Sequence, residues 1–443
     1  MSFPRYPEYK DSGVEWLGEV PRHWDVQLVK NLASIVNGYP FDSALFDATD
    51  GSPLIRIRDL NKSEAETFYK GDFVEAAAIT SDDVLIGMDG DFNVGRWRGE
   101  GRALLNQRMC CVRGKNKVVT RLLEYTLPIR LKAINDVTYA TTVKHLASSQ
   151  VEKTLVAIPL DVAEQTQIAV FLDRETAKID ALVAEQRRLM DLLKEKRQAV
   201  ISHVVTRGLN PHAPMKPSGN KWLGDVPTHW VVCCLKHIKA EVKNAFVDGP
   251  FGSNLKSEHF IDDGDVYVIE SNFATQGRID TDSLKTISNE HFATINRSET
   301  RGGDIVIAKI GAQYGKASIL PPLDKPAVVS GNSLKLTINN ETCDVKFVNW
   351  HLANLKELGV MEDIVNATAQ PALSLGEMNN LPMLVPPRNE QEAIVQFLNE
   401  KLGEFDTLTT EAQLAIDLLQ ERRTALISAA VTGQIDVRAT VTA

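Results

Sequence analysis

The sequence of 443 residues lacks several features that would assign it to a common class of protein. No apolar run approaches the 18 residues of a membrane-spanning helix, and the opening MSFPRYPEYK is too polar for a signal peptide. The five cysteines include no Cys-x-x-Cys pair and no metal-site spacing, which favours buried thiols in a reduced compartment. We therefore expect a cytoplasmic protein with no membrane segment and no metal site.

An excess of basic residues is also missing, because the net charge is −9. This charge argues against a protein that coats nucleic acid indiscriminately. The average conceals a contrast, however. Residues 96–144 contain eleven basic and three acidic side chains, whereas residues 390–433 contain three basic and eight acidic ones. On charge alone, a solvated surface explains the basic stretch as well as a binding face does.

Catalytic signatures are scarce. Residues 311–317, GAQYGKA, resemble a phosphate loop but are one residue too short and have alanine where magnesium binding needs Ser or Thr. Pro386 and Pro387 lack the flanking polar and aromatic residues with which a DNA amino-methyltransferase grips a flipped base. No glycine-rich fingerprint for a nucleotide cofactor follows an early strand. The chain is predicted to bind a ligand rather than to catalyse a reaction.

Proline and glycine are absent from residues 164–207, which predicts one uninterrupted helix of roughly 66 Å. Residues 390–433 repeat this stretch at an offset of 226, and 18 of the 44 aligned residues are identical. The apolar heptad pattern in both copies predicts that the two helices pair as an antiparallel coiled coil. The predicted seam contains Ile168, Leu172, Ile179, Leu182, Leu189, Leu193 and Val200 in the first helix, with Gln186 and Lys196 as polar breaks, and Ile394, Leu398, Phe405, Leu408, Leu419 and Leu426 in the second.

The duplication also includes the start of each half. SGVEWLGEVPRHW at residues 12–24 returns as SGNKWLGDVPTHW at residues 218–230, with both tryptophans, the proline and the histidine retained. Between these marks, strands that run into glycine turns and glycine-rich loops recur in the same order. We predict a mixed α/β (α+β) fold with two similar globules. The predicted segments are a globule at 1–160, a helix at 161–207, a linker at 208–216, a globule at 217–388, a helix at 389–435 and a tail at 436–443.

A duplicated globule followed by a duplicated helix predicts an internal pseudo-dimer. Two diverged globules held apart by a rigid rod suit a long ligand with its own pseudo-two-fold axis, and double-stranded DNA is the obvious candidate. In that context the basic stretch at residues 96–144 is interpreted as a DNA-binding region. Its arginines can bind guanine edges or phosphates, and its amides can bind adenine.

The residues predicted to contact DNA lie in the glycine loops, the basic stretch, the turn after residue 248 and a third matched loop. The alternative for the glycine loops is a plain hairpin. The four repeated tryptophans, at 16, 24, 222 and 230, are predicted to be core residues, because the readers of two different half-sites must differ. The predicted DNA contacts are Gly90, Asn93, Arg96, Arg98, Asn106, Gln107, Arg108, Tyr139, Thr141, Lys144, Ser253, Asn254, Lys256, Gln313, Tyr314, Lys316 and Gln370.

The opening YKDSGVEWLGEVPRHW, the turns NGYPFDS and DGPFGSNLK, and the EQ entry and ERR-ALI-AAVTG-ID exit of the helix resemble the specificity (S) subunit of type I restriction-modification systems. The resemblance covers essentially the whole chain. It implies two target recognition domains that each read half of an interrupted DNA site, with helices that space them and bind two modification (M) subunits. It also implies that the chain is non-catalytic. S-adenosylmethionine, ATP and Mg²⁺ are expected on the M subunits and the restriction (R) subunits.

Two other functions remain open from the residues alone. One is a self-contained enzyme that modifies or cleaves DNA with an unrecognised site. The other is a coiled-coil adaptor that binds only proteins. Chemistry on labelled duplex DNA without any partner would support the enzyme, and failure to bind DNA selectively, with or without an M subunit, would support the adaptor.

Overall fold

The computed structural model of the chain describes residues 3–137, 144–365 and 371–440. Two compact units are present, Met1–Arg187 with Gln413–Ala443, and Arg188–Ala412. Both boundaries fall inside the long helices, so each unit contains one globule and part of each helix. The mixture of strands and helices, arranged alike in both units, confirms the predicted fold class and the internal duplication. The six predicted segments stay a prediction.

The first unit contains thirteen of the strands that the described residues form. They are followed by the first long helix, α4. The strands are β1 Tyr9–Asp11, β2 Glu19–Pro21, β3 Trp24–Leu28, β4 Ala33–Asn37, β5 Phe46–Asp47, β6 Ser52–Ile55, β7 Phe68–Tyr69, β8 Ala78–Thr80, β9 Val84–Gly87, β10 Val94–Gly95, β11 Arg102–Leu105, β12 Met109–Gly114 and β13 Leu155–Pro159. The helices are α1 Val29–Leu32, α2 Lys117–Val137, α3 Ser148–Glu152 and α4 Val162–Arg207.

The second unit repeats this order with more helices between its strands, and ends in the second long helix, α10. The strands are β14 Met215–Pro217, β15 Asp225–Pro227, β16 Val231–Cys234, β17 Phe246–Asp248, β18 Val266–Ile269, β19 Lys285–Ile287, β20 Glu299–Thr300, β21 Ile305–Ala308, β22 Ala317–Ile319, β23 Ala327–Val329, β24 Ser333–Leu336 and β25 Pro382–Val385. The helices are α5 Ser271–Gln276, α6 Asn289–Ile295, α7 Val345–Glu357, α8 Val360–Ile364, α9 Leu375–Asn379 and α10 Arg388–Val431.

Strand pairing is the same in the two globules. The sheet β10-β9-β12-β4 of the first has its counterpart in β22-β21-β24-β17 of the second. A second sheet, β7-β6-β11-β8 with β5 added at its edge, matches β19-β18-β23-β20. In the second sheet of each globule the central pair of strands is parallel, β6 with β11 in the first globule and β18 with β23 in the second. The two globules are therefore copies of one scaffold, although most of their loop sequences differ.

The repeated glycine turns are explained by a close backbone approach. A Cβ atom on Gly38 would lie 1.9 Å from the Asn106 carbonyl oxygen, and one on Gly249 would lie 2.0 Å from the Ser330 carbonyl oxygen. Only glycine leaves room for the neighbouring chain at these two equivalent places. Gly38 of NGYPF and Gly249 of DGPFG are thus scaffold residues.

Glu164 joins the first globule to its helix. Its carboxylate is 4% exposed and accepts hydrogen bonds from the Tyr6 hydroxyl at 2.8 Å, from His23 Nε2 at 2.9 Å and from Trp24 Nε1 at 2.9 Å. In the second globule, Glu390 accepts from His229 Nε2 at 2.7 Å. The repeated histidine and glutamate are therefore paired with each other, and their pairing connects each globule to the start of its helix.

The repeated tryptophans belong to the core, as predicted, but to different degrees. Trp24 and Trp230 are each 1% exposed. Trp16 and Trp222 are only partly buried and pack against the edges of the same two cores. All four contribute to packing, since none is fully exposed.

The long helices pair antiparallel, as predicted. Within the first unit Arg423 contacts Asp180, whereas the later residue Ile427 packs in the same core as Ile168 and Leu172. Residues further along α10 thus contact residues nearer the start of α4. In the second unit, Leu193 packs in one core with Leu402 and Phe405.

The predicted seam was wrong at four positions. Leu182, Leu189 and Leu408 are 51%, 40% and 43% exposed. Lys196, predicted as a polar break, is exposed too, and Arg197 takes its place. Val183 and Thr176 occupy the seam instead, at 9% and 4% exposure. The Thr176 hydroxyl donates to the Leu172 carbonyl at 2.7 Å, so a polar residue can be buried there at little cost. The observed seam is Leu172, Thr176, Ile179, Val183, Gln186, Met190, Leu193, Arg197, Val200 and Val204, and its counterparts 226 residues later.

Two ion pairs cross this seam, one in each unit. Arg423 Nε lies 2.9 Å from Asp180 Oδ1, and Arg197 Nη1 lies 2.7 Å from Asp406 Oδ1. The offset of 226 converts Asp180 into Asp406 and Arg197 into Arg423. The two pairs are therefore duplicates of each other with the helices exchanged, as expected from the internal duplication.

Acid should destabilise the second unit through His351. This residue of α7 is 0% exposed, and burial lowers the pKa of its imidazole to about 4 from the ordinary 6.5. The unfolded chain binds the proton first, so His351 stabilises the fold above pH 6.5. As the pH falls from 6.5 to 4 we expect the free energy of unfolding to drop by up to about 3 kcal/mol.

Urea unfolding between pH 4.5 and 7.5 measures this effect. His351→Leu should flatten the pH dependence, whereas His212→Leu, at an exposed position before β14, should leave it unchanged. Equal slopes for the His351 variant and the wild-type chain would contradict the assignment.

Candidate nucleic-acid interface

The first glycine loop lies between β9 and β10, where a buried strand reaches the surface. Gly87 donates its N–H to the Asn93 carbonyl at 2.8 Å, and Gly90 donates its own to the Lys144 carbonyl at 3.0 Å. Asn93 is exposed. The structure therefore brings Gly90, Asn93 and Lys144, which were predicted separately, to one edge of the first globule.

The two arginines after this loop have different environments. Arg96 donates from Nε to Glu124 Oε2 at 2.6 Å, and only 18% of its side chain is exposed. Arg98 is exposed and, with Lys132 and Glu124, lines a cavity of about 440 Å³. Arg98 is thus available to a ligand, whereas Arg96 is already bonded to Glu124.

Asn106, Gln107 and Arg108 form the turn between β11 and β12. The Asn106 side chain accepts the Arg108 backbone N–H at 3.3 Å, which shapes the turn, and Gln107 is exposed. Arg108 is 68% exposed and donates from Nη1 to Asp89. This turn therefore lies beside the glycine loop.

Asp89 contacts an arginine and a histidine at that edge. Besides Arg108 it contacts His145, with 2.8 Å between Asp89 Oδ1 and His145 Nδ1. Burial alone would raise the pKa of Asp89, but hydrogen bonds from His145 and Arg108 outweigh burial and hold the pKa below its ordinary value. Asp89 therefore stays ionised. The sequence prediction missed Asp89 and His145, although Asp89 directly precedes the predicted Gly90.

Lys144 has a structural contact that the sequence did not indicate. Its ammonium donates to the Asn135 carbonyl at 2.6 Å and to Asn135 Oδ1 at 3.0 Å. Asn135 in turn donates to the Gly90 carbonyl. The lysine thus ties α2 to the glycine loop.

The second glycine loop lies between β21 and β22. Gln313 and Lys316 are exposed there, as a reading function requires. Tyr314 is partly buried, and the Lys356 ammonium lies 3.9 Å from its ring centroid. Tyr314 therefore anchors the loop on α7, and Gln313 and Lys316 are its accessible polar groups.

The turn after β17 exposes Ser253, Asn254 and Lys256. Beside them Phe251 is 63% exposed, and its ring is 4.5 Å from the Lys309 ammonium. That ammonium is paired with the buried Asp248 at 3.1 Å. The turn thus exposes polar and aromatic side chains, and the buried ion pair beneath them holds the turn in place.

Three predicted contacts, Tyr139, Thr141 and Gln370, lie outside the described residues. Within the described ranges 3–137, 144–365 and 371–440, no group of three or more His, Cys, Asp or Glu side chains is placed to hold a metal ion. None of the helices described is long and apolar enough to cross a membrane.

The cysteines are largely buried thiols, as predicted. Cys110, Cys111 and Cys343 are buried, and Cys233 and Cys234 are partly buried. Burial raises the pKa of the Cys110 thiol to about 12. A thiol with so high a pKa carries little thiolate at neutral pH, which suits a packing role.

Comparison with known proteins assigns the family. Residues 21–188 and 251–416 match the model of the type I restriction modification DNA specificity domain. The specificity subunit of the type I restriction enzyme EcoBI from Escherichia coli is 28% identical over 436 residues, which cover 97% of this chain and 90% of that protein. The EcoKI specificity subunit of Escherichia coli strain K12 is 19% identical over 439 residues, or 94% of this chain and 90% of that protein.

Solved structures share the fold. A chain from a structure of type I R-M complex assembly and conformational transition has a TM-score of 0.64 at 13% identity, covering 93% of this chain and 98% of that one. The HsdS subunit from Thermoanaerobacter tengcongensis has a TM-score of 0.50 at 13% identity, covering 94% and 98%. With two copies of the family domain on a duplicated scaffold, the chain belongs to the DNA specificity subunits of type I restriction-modification systems.

Proposed function

We propose that the chain reads an interrupted, two-part DNA site, one half with each globule, and so directs adenine methylation and restriction by partner subunits. The observation that carries this proposal is a duplicated scaffold whose exposed loop side chains differ. A scaffold kept twice preserves the mode of docking, while different side chains allow two different half-sites. As a specificity subunit, the chain performs no catalytic step. The family assignment therefore decides against both a self-contained enzyme and a pure adaptor.

The proposal includes two M subunits, for which the helices offer two similar apolar faces. Leu182 and Leu418 are exposed in the first unit, and their counterparts by the 226-residue offset, Leu408 and Leu192, are exposed in the second. All four lie beside the seam without being part of it. Exposed leucines that recur at equivalent places indicate a contact surface used twice, which suits two copies of one partner.

The chemistry belongs to the partners in this proposal. S-adenosylmethionine is expected on the M subunits, and ATP and Mg²⁺ on the R subunits. The complex is expected to act on cytoplasmic DNA. This chain then contributes the geometry that sets two half-sites at a fixed separation and in a fixed order.

Exchanging one reader tests the proposal. Replacing residues 24–159 with the equivalent segment of another specificity subunit should change one half of the methylated site and leave the other half intact. The matched exchange of residues 230–386 should change only the other half. Mapping of methylated adenines in genomic DNA gives the result, and a change of both halves after either exchange would refute one half-site per globule.

A further inference from the structure

The cluster of Asp89, Arg108 and His145 has the geometry of a prepared binding group. Asp89 lies just after β9 with 15% of its side chain exposed, while Arg108 and His145 are 68% and 65% exposed. One largely buried carboxylate thus holds two exposed donors. An arginine so held loses less side-chain entropy on binding than a free one.

The backbone under this cluster is duplicated in the second globule. Met88 donates its N–H to the Arg108 carbonyl at 2.9 Å, and Lys309 donates its own to the Asn332 carbonyl at 2.8 Å. The isolated bridge between Asp89 and His145 has its counterpart between Ile310 and Ala372. Asn332 is therefore the structural equivalent of Arg108.

The side chains on this shared backbone are all replaced. Asp89, Arg108 and His145 of the first globule become Ile310, Asn332 and Ala372 in the second. A scaffold role would favour the same residues in both copies, as it does for the His and Glu pairs at the helix starts. Replacement of the whole cluster on a retained backbone is what two different half-sites require.

The residue types indicate which base is read. Arginine binds the O6 and N7 atoms of guanine in a bidentate contact, whereas asparagine binds adenine through N6 and N7. We propose that Asp89 is a positioning residue that holds Arg108 for bidentate recognition of a guanine in the first half-site, with His145 as a second donor. This rests on the proposed function, because it assigns one base contact within the half-site read by the first globule.

The test uses the full chain with the M subunits of its own system, produced in a host without adenine methylation, and maps methylated adenines in the genomic DNA. Arg108→Ala should relax one guanine position of one half-site, lowering discrimination about 5- to 150-fold. Asp89→Ala should relax the same position, and the double variant should relax it no further than Arg108→Ala. Arg108→Lys keeps the charge but not the fork, so it should also lose discrimination.

Glu8 and Arg22 are the matched control, since they form another exposed ion pair in the same globule, outside the basic stretch, with side chains 66% and 72% exposed. Arg22→Ala should leave the site unchanged. An unchanged site in Arg108→Ala, or relaxation of a different position in Asp89→Ala, overturns the inference. If the wild-type chain directs no methylation of an interrupted site, the proposed function itself has failed.

The triple substitution Asp89→Ile, Arg108→Asn and His145→Ala distinguishes the loss of a base contact from the loss of folding. It copies the second globule's side chains onto the same backbone and is therefore expected to fold. Its methylated site should lose the guanine at the same position. A methylated site still requiring that guanine overturns the assignment of Arg108.

Discussion

A chain that ends at Pro214 is expected to form a symmetric dimer. It keeps the first globule and α4, but loses residues 413–431, which pack against the start of α4 in the first unit. The same seam recurs 226 residues earlier, at 187–205, so a second copy can supply the missing helix. Each Asp180 then meets Arg197 of the other copy, as it meets Arg423 in the full chain.

Sedimentation and methylation mapping measure the two consequences. The fragment should sediment as a dimer, and with M subunits it should direct methylation to an interrupted palindrome, with half-site centres about one DNA turn, roughly 34 Å, apart. Asp180→Lys should weaken the dimer, and adding Arg197→Asp should restore it by reversing both pairs. A soluble monomer contradicts the pseudo-dimer, and methylation of an asymmetric site contradicts one half-site per globule.

Leu193→Ala should destabilise the chain strongly, because Leu193 is 8% exposed and packs in the core of the second unit. Truncating a buried leucine typically costs about 2–5 kcal/mol. Its neighbour Leu192 is 51% exposed, so Leu192→Ala should change stability by about 0.5 kcal/mol or less. The two variants therefore compare a seam residue, Leu193, with an adjacent residue proposed to contact the M subunit, Leu192.

Thermal unfolding and M-subunit binding distinguish the two leucines. Leu193→Ala should lower the melting temperature, whereas Leu192→Ala should keep it and weaken association with M subunits. Equal melting temperatures for the Leu193 variant and the wild type would place Leu193 outside the seam. Unchanged M-subunit binding by the Leu192 variant would remove it from the docking face.

The duplication made much of the fold predictable from a single sequence, because a pattern that recurs in both halves is more reliable than one seen once. The helices, their antiparallel pairing and the buried tryptophans followed from it. The seam register did not, because Leu182 and Val183 are adjacent and both apolar. Burial of Thr176 depends on a local hydrogen bond that apolar patterning does not reveal. The sequence prediction therefore assigned exposed leucines such as Leu182 to the seam, because they are the more hydrophobic residues.

The sequence was sufficient to propose the regions of the candidate interface, but not the side-chain contacts within it. Glycine loops and a basic stretch predicted DNA contacts, several of which the structure brings to one edge of the first globule. Which charges remain accessible depends on contacts between distant segments, such as Arg96 with Glu124, 28 residues apart. Asp89 and His145 are 56 residues apart, and neither belongs to a recurring motif. Only the folded backbone brings them together with Arg108.

The discontinuous first unit makes the order of synthesis important. Arg187 and Gln413 are 226 residues apart, which a ribosome translating about 5–20 residues per second needs roughly 10 to 45 s to cover. During that interval the start of α4 lacks residues 413–431, and Ile179 and Val183 face water. A neighbouring nascent chain on the same messenger offers an equivalent seam at residues 187–205. Prompt translation of the second half therefore favours one chain with two different readers over two chains with identical ones.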